Sequence, residues 1–139
     1  MPAPVRVTLK WIQITDNLEP GRDKEGEFVF RIRVETDGGE IVETRLPEEG
    51  SWFISQKPGK NRVKLDEVVF EGEAGSRLVV ELTGEEQDRL TGSDSLETYR
   101  REFAGEPSSW VGLHGPGDEG DEDPENLSNW RIGYEIELI

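Results

Sequence analysis

An antiparallel β-sandwich of about seven or eight strands is predicted by three features of this 139-residue sequence. Apolar residues alternate with polar ones in segment after segment, which is the period of a half-buried strand. The segments are short and punctuated by Gly, Pro and Asp, as turns between antiparallel strands require. Eleven aromatic side chains supply core volume in a chain that is only 32% hydrophobic and has no cysteine. The length fits one domain spanning residues 1–139.

The elements follow in order. Val5, Val7, Leu9 and Trp11 alternate with polar residues, and Ile12 and Ile14 then continue in the opposite phase, which predicts a β-bulge. Phe28, Phe30, Ile32 and Val34 alternate against Arg31, Arg33 and Glu35. After Asp37-Gly38-Gly39 the stretch EIVETRL reads as the return strand of a hairpin. Val63 and Leu65, then Val68 and Phe70, form a shorter and less regular pair, and Leu78, Val80 and Leu82 another strand. Trp130, Ile132, Tyr134, Ile136 and Leu138 close the chain in strict alternation. Residues 95–104 read two ways. Leu96, Tyr99 and Phe103 share a helical face behind an Asp94/Glu97 capping box, while Tyr99, Arg101 and Phe103 share a strand face.

The net charge of −15 excludes several functions. Phosphate neutralisation requires a Lys/Arg surface, so nucleic acid is not an expected partner. Unaided docking to an anionic membrane is opposed for the same reason. A compact chain this acidic repels itself, and bound divalent cations or high salt relieve the repulsion. Solubility alone is the plain alternative. Arg outnumbers Lys eleven to five, which with the acid excess also fits a salty habitat. Without cysteine there are no disulfides, zinc thiolates or thiol nucleophiles. No apolar run approaches the roughly 18 residues of a membrane span, and MPAPVRVTLK lacks a signal-peptide core, so the expected compartment is the cytoplasm.

Enzymatic activity is not expected. His114, the only histidine, lies in the glycine-rich run VGLHGPG, and no G-x-S-x-G elbow is present. With 31 acidic residues, a pair of carboxylates suited to glycoside hydrolysis carries no information.

Acidic residues concentrate in 15–27, 84–95 and 117–126, each joining the end of one strand pattern to the next element. Loops cluster at the two ends of a sandwich, where convergent carboxylates would suit Ca²⁺, a cation that takes six to eight oxygen ligands. The densest charge is the least specific. From Asp118 to Glu125 six of eight residues are acidic, yet reading an EF-hand from Asp121 places Asn126 where Gly belongs and Ile132 where Glu belongs. Asp121 and Asp123 are at most auxiliary ligands. The quieter VELTGEEQDRLTGSDSL has spacing: Glu86, Asp88 and Asp94 form acid-x-acid-x5-Asp behind a strand. Acids two apart on an extended chain point to one side, and a turn through Gly92 returns the third. Each also has a plain reading, as a solvated loop for Glu86 and Asp88 and as a helix N-cap for Asp94.

That stretch resembles the third calcium loop of C2 domains, with Glu86 in place of an Asp and Glu97 in place of a Gly. The opening WIQITDNLEPGRDKEGEFVFRIRV is similar to the C2 beginning: Leu18, Asp23, Gly26 and Phe28 match, with Asp16 ahead of them. The family's S-D-P-Y is missing, so one Asp ligand is absent or replaced by Glu25 or Glu27. The two stretches cover about a third of the chain. The resemblance implies a C2-like sandwich holding Ca²⁺ in its end loops through Asp16, Asp23, Glu25, Glu86, Asp88 and Asp94. It also implies a calcium-dependent membrane or protein partner; Trp52, Phe53 and Ile54 beside Lys57 and Lys60 read either as an inserting tip for it or, as such trios more commonly do, as core or edge residues. The alternative is an acidic structural or protein-interaction domain with no specific metal site.

Overall fold

A computed structural model describes residues 2–15, 25–55, 61–88, 92–115, 127 and 130–139; at 25, 55, 88 and 92–94 only the backbone is described. Ten strands are present among these residues: β1 (Ala3–Ile14), β2 (Glu25–Thr36), β3 (Ile41–Leu46), β4 (Trp52–Ser55), β5 (Arg62–Ala74), β6 (Arg77–Asp88), β7 (Gly92–Ser95), β8 (Tyr99–Ala104), β9 (Gly112–His114) and β10 (Trp130–Leu138). One sheet has the order β5-β1-β10-β9. The other has the order β3-β2-β6-β7, with β4 pairing β2 beside β3 and β8 pairing β6 beside β7. Every pairing is antiparallel. The two sheets close on one apolar core in which Ile12, Ile14, Phe28, Phe30, Trp130 and Ile136 are completely buried. The sandwich is as expected, with more strands, because short strands pair along the long strands β2, β6 and β10.

The predicted bulge lies at Lys10. Register against both β10 and β5 shifts between Leu9 and Trp11, so Leu9 and Ile12 both face the core. The extra residue puts Lys10 and Trp11 consecutively outside, where Lys10 Nζ meets Asp66 at 2.8 Å and Glu135 at 3.6 Å. Trp11 lies against Gly133, where a Cβ would overlap the indole nitrogen; only glycine leaves room for the ring. The irregular region 63–70 is one long strand rather than a pair of short ones. Its broken alternation comes from register shifts opposite Val7–Thr8 and Leu9–Trp11, which leave Val69 and Phe70 both buried.

Residues 99–104 form a strand and no helix. β6 offers an edge from Arg77 to Leu82, and the alternation places Tyr99 and Phe103 in the core with Arg101 over the Phe103 ring. A single turn of 3₁₀ helix, Pro107–Trp110, follows. The half-buried His114 is held structurally, with Nε2 at 2.9 Å from the Trp110 carbonyl oxygen and its ring beside those of Phe103 and Tyr134.

The end of the sandwich bearing the β2–β3 turn is closed by Asp37. Its carboxylate accepts the Ser76 N–H at 2.8 Å, the Gly75 N–H at 2.9 Å and the Ser76 hydroxyl at 3.1 Å. Gly75 is needed there, since a Cβ would meet an Asp37 oxygen at 2.6 Å. The Ser76 and Gly75 amides, which favour the charged form, hold the carboxyl below its ordinary range. A depressed folded pKa contributes stability above the unfolded value, and that contribution is lost as pH falls through the folded one. The difference in urea midpoint between wild type and Asp37→Asn should therefore be largest near neutrality and shrink as pH falls below the ordinary carboxylate value of about 4. An equal difference at neutral and at acid pH would show that the clamp does not use the charge.

Candidate functional site

Opposite the Asp37 clamp, register gathers strand ends that flank acidic segments. β1 finishes at Ile14 beside Trp130, the first residue of β10, and Gln13 pairs with Arg62 at the start of β5. In the facing sheet Glu25 pairs with Ser55, Phe28 with Glu86, and Asp88 with Gly92. The Phe30–Trp130 stack at 5.5 Å, and the hydrogen bond from Trp130 Nε1 to the Glu97 carbonyl at 2.7 Å, tie the two sheets together at this end. The strand ends flanking 15–24, 56–60 and 89–91 thus lie at one end of the sandwich, whereas β9, before 116–126, stops short of it with His114 opposite Tyr134.

Residues 84–95, expected as a loop, form most of a hairpin. β6 runs on to Asp88 and returns as β7, with Glu86 directly opposite Asp94 and Asp88 opposite Gly92. The spacing acid-x-acid-x5-Asp is therefore the arithmetic of this hairpin. Glu86 itself faces the core, since it continues the inward row of Leu78, Val80, Leu82 and Gly84 and is only 1% exposed. A buried carboxylate is uncommon because desolvation costs several kcal/mol unless it is paired, hydrogen-bonded or bound to metal. Gly26 makes the space: a Cβ there would stand 3.1 Å from Glu86 Cγ and 2.7 Å from the Phe28 ring. The glycine shared with the C2-like opening motif thus has a packing role against the other motif's first acid.

The remaining expected ligands are placed less fully. Asp16 and Asp23 lie outside the described residues. Glu25 opens β2 opposite Ser55, and its side chain is outside the described set. The side chains of Asp88 and Asp94 are outside the described set, as are Asp121 and Asp123. Among the described residues no three His, Cys, Asp or Glu side chains converge as a metal cage.

The tip expected at Trp52–Ile54 is a strand. Ile54 is in the core, Trp52 packs 6.0 Å from Phe30, and Phe53 alone projects, 64% exposed and opposite Glu27. Alternation along β4 explains this, because a trio in a strand cannot present three side chains to one side. Lys57 and Lys60 are outside the described residues. Among the described residues no helix is long and apolar enough to cross a membrane.

Comparison with known proteins adds little to this geometry. No protein-family model matches the chain, and no curated protein matches it. Among solved structures, one of Drosophila C2-DSL-EGF1 aligns with 99% of this chain and 67% of its own, at 12% identity and a TM-score of 0.46.

Proposed function

We propose that this chain is a non-enzymatic Ca²⁺-binding module of C2-like type, with its ion site at the acidic end of the sandwich. The observation that supports this reading is the β6–β7 hairpin, in which Glu86 pairs with Asp94 and Asp88 with Gly92 while Glu86 is withdrawn from solvent. Asp16, Asp23 and Glu25 belong to the segment that joins β1 to β2 at the same end, and they complete the proposed ligand set. Carboxylate oxygens are the donors Ca²⁺ prefers, and an ion there would offset repulsion within a chain of net charge −15. A calcium-dependent partner, membrane or protein, and a cytoplasmic setting are parts of the same proposal.

Calcium titration followed by thermal melting at fixed ionic strength tests it. Free Ca²⁺ at 100 times Kd is expected to stabilise the fold by about 2.7 kcal/mol, a shift of several degrees in Tm. Asp88→Asn should remove most of that gain. A midpoint indifferent to Ca²⁺, or one raised equally by Mg²⁺ or by NaCl in excess, would sink the calcium site and leave an acidic interaction domain. Co-sedimentation with anionic vesicles, with and without Ca²⁺, then separates a membrane partner from a protein one.

A further inference from the structure

The outer face of the sheet β5-β1-β10-β9 is divided by charge. Toward the Asp37 end, register aligns Glu71, Arg6 and Glu137 in a row, with Arg6 paired to Glu71. Toward the acidic end, two neighbouring rows cross the three strands: Arg62–Gln13–Arg131 and Lys64–Trp11–Gly133. Residues directly opposite in an antiparallel ladder share a face, and two strand spacings separate Arg62 from Arg131 by about 10 Å.

These cations differ from their neighbours in being unneutralised among the described residues. Lys10 is held by Asp66 and Glu135, whereas Arg62, Lys64 and Arg131 have no carboxylate within ion-pair range in that set. The Arg62 guanidinium stacks over the Trp11 ring at 4.5 Å, and that ring rests on Gly133. Stacking fixes the plane of the guanidinium and leaves its donors directed along that plane. Arg131 Nε is buried with no hydrogen-bond partner among the described residues, so no acceptor in that set claims it. In a chain with 31 acidic and 16 basic residues, three such cations around one tryptophan run against the composition.

We propose that this patch is a site for a compact oxyanion of the phosphate or sulfate class. Two guanidinium groups present forked donors, Lys64 adds a point charge, and the Gln13 amide lies between the arginines as a neutral donor. The chain's overall charge sets the size of the ligand. Near physiological salt a Debye length of about 8 Å confines a small anion to the local cations, whereas a polyanion reaches the surrounding acids and is repelled. The site uses none of the proposed calcium ligands and is filled without Ca²⁺.

The test is titration of the intact chain with pyrophosphate in calcium-free buffer, with NaCl adjusted to hold ionic strength, followed by ¹H–¹⁵N NMR. Saturable shifts are expected at the Trp11 indole, the Gln13 amide and the adjoining β1 and β10 backbone. Arg62→Gln and Arg131→Gln should each weaken binding at least fivefold with melting temperature retained, while Lys10→Gln leaves it unchanged. Competition by sulfate but not by acetate would support the class assigned. Shifts reproduced by NaCl alone, unaffected by both arginine variants, or competed equally by acetate would overturn it. So would binding of phosphatidic acid vesicles without any response to pyrophosphate, which would make the patch a membrane contact. Because calcium is absent throughout, these outcomes are separate from the fate of the calcium reading.

Discussion

Replacing Trp130 with alanine is expected to remove about 3–5 kcal/mol of unfolding free energy, a large part of the roughly 5–15 kcal/mol typical of a folded domain. Trp130 is completely buried and stacks on Phe30 across the sandwich with ring planes 20° apart. Its indole N–H donates to the carbonyl of Glu97, in the connection between β7 and β8. Truncation therefore opens a cavity between the sheets and strands a carbonyl acceptor at the same point. Trp130→Phe separates the two effects. It keeps an aromatic ring against Phe30 and removes the hydrogen bond to Glu97, a loss of about 0.5–1.5 kcal/mol. Urea unfolding followed by far-UV circular dichroism measures both, since tryptophan fluorescence would itself change. A loss below about 1 kcal/mol for Trp130→Ala would mean that the site collapses around the smaller side chain and that this stack does not hold the sheets together.

Glu86→Gln is expected to abolish the calcium-dependent stabilisation, a loss of about 2.7 kcal/mol at free Ca²⁺ 100 times the wild-type Kd. The substitution nearly preserves shape beside Gly26 while removing one charge and turning one acceptor oxygen into an amide donor. It discriminates between the two readings of a buried acid at this end of the fold. If Glu86 is a ligand, the variant no longer responds to the ion. If Glu86 is structural, the variant melts lower with and without calcium by similar amounts, and any calcium response persists. Paired thermal melts with and without Ca²⁺ distinguish the cases.

Much of the candidate site is legible in the amino-acid sequence. The spacing of Glu86, Asp88 and Asp94 is that of a hairpin in which Glu86 pairs with Asp94. Alternation continued from Leu78, Val80 and Leu82 separates the inward Glu86 from Glu85, but not the room for an inward carboxylate, which comes from Gly26, sixty residues earlier, in the neighbouring strand. The cationic patch is invisible in the sequence for a related reason. Gln13, Arg62 and Arg131 are scattered through the chain and meet only because β1 lies between β5 and β10. Trp11 reads in the sequence as continuing the row of Val5, Val7 and Leu9, and only the placing of the bulge one residue earlier, at Lys10, turns it outward.

The strands β1, β2, β3, β5, β6 and β10 were legible in the sequence alone, because alternation of apolar and polar residues is a local property that suits a period-two backbone. The bulge in β1 and the Asp37-Gly38-Gly39 hairpin follow from equally local chemistry, as does the exclusion of thiol-based sites. Tertiary structure decided what local pattern leaves degenerate. It made 99–104 a strand by offering the β6 edge, merged two apparent strands into β5 through its bulges, and turned the Trp52–Ile54 tip into an edge strand with one exposed ring. It also brought strand ends flanking acidic segments together while gathering Arg62, Lys64 and Arg131 around Trp11 on the outer face. Those outcomes depend on which strands become neighbours, and that choice is made by burial of the whole core rather than by any stretch of chain within it.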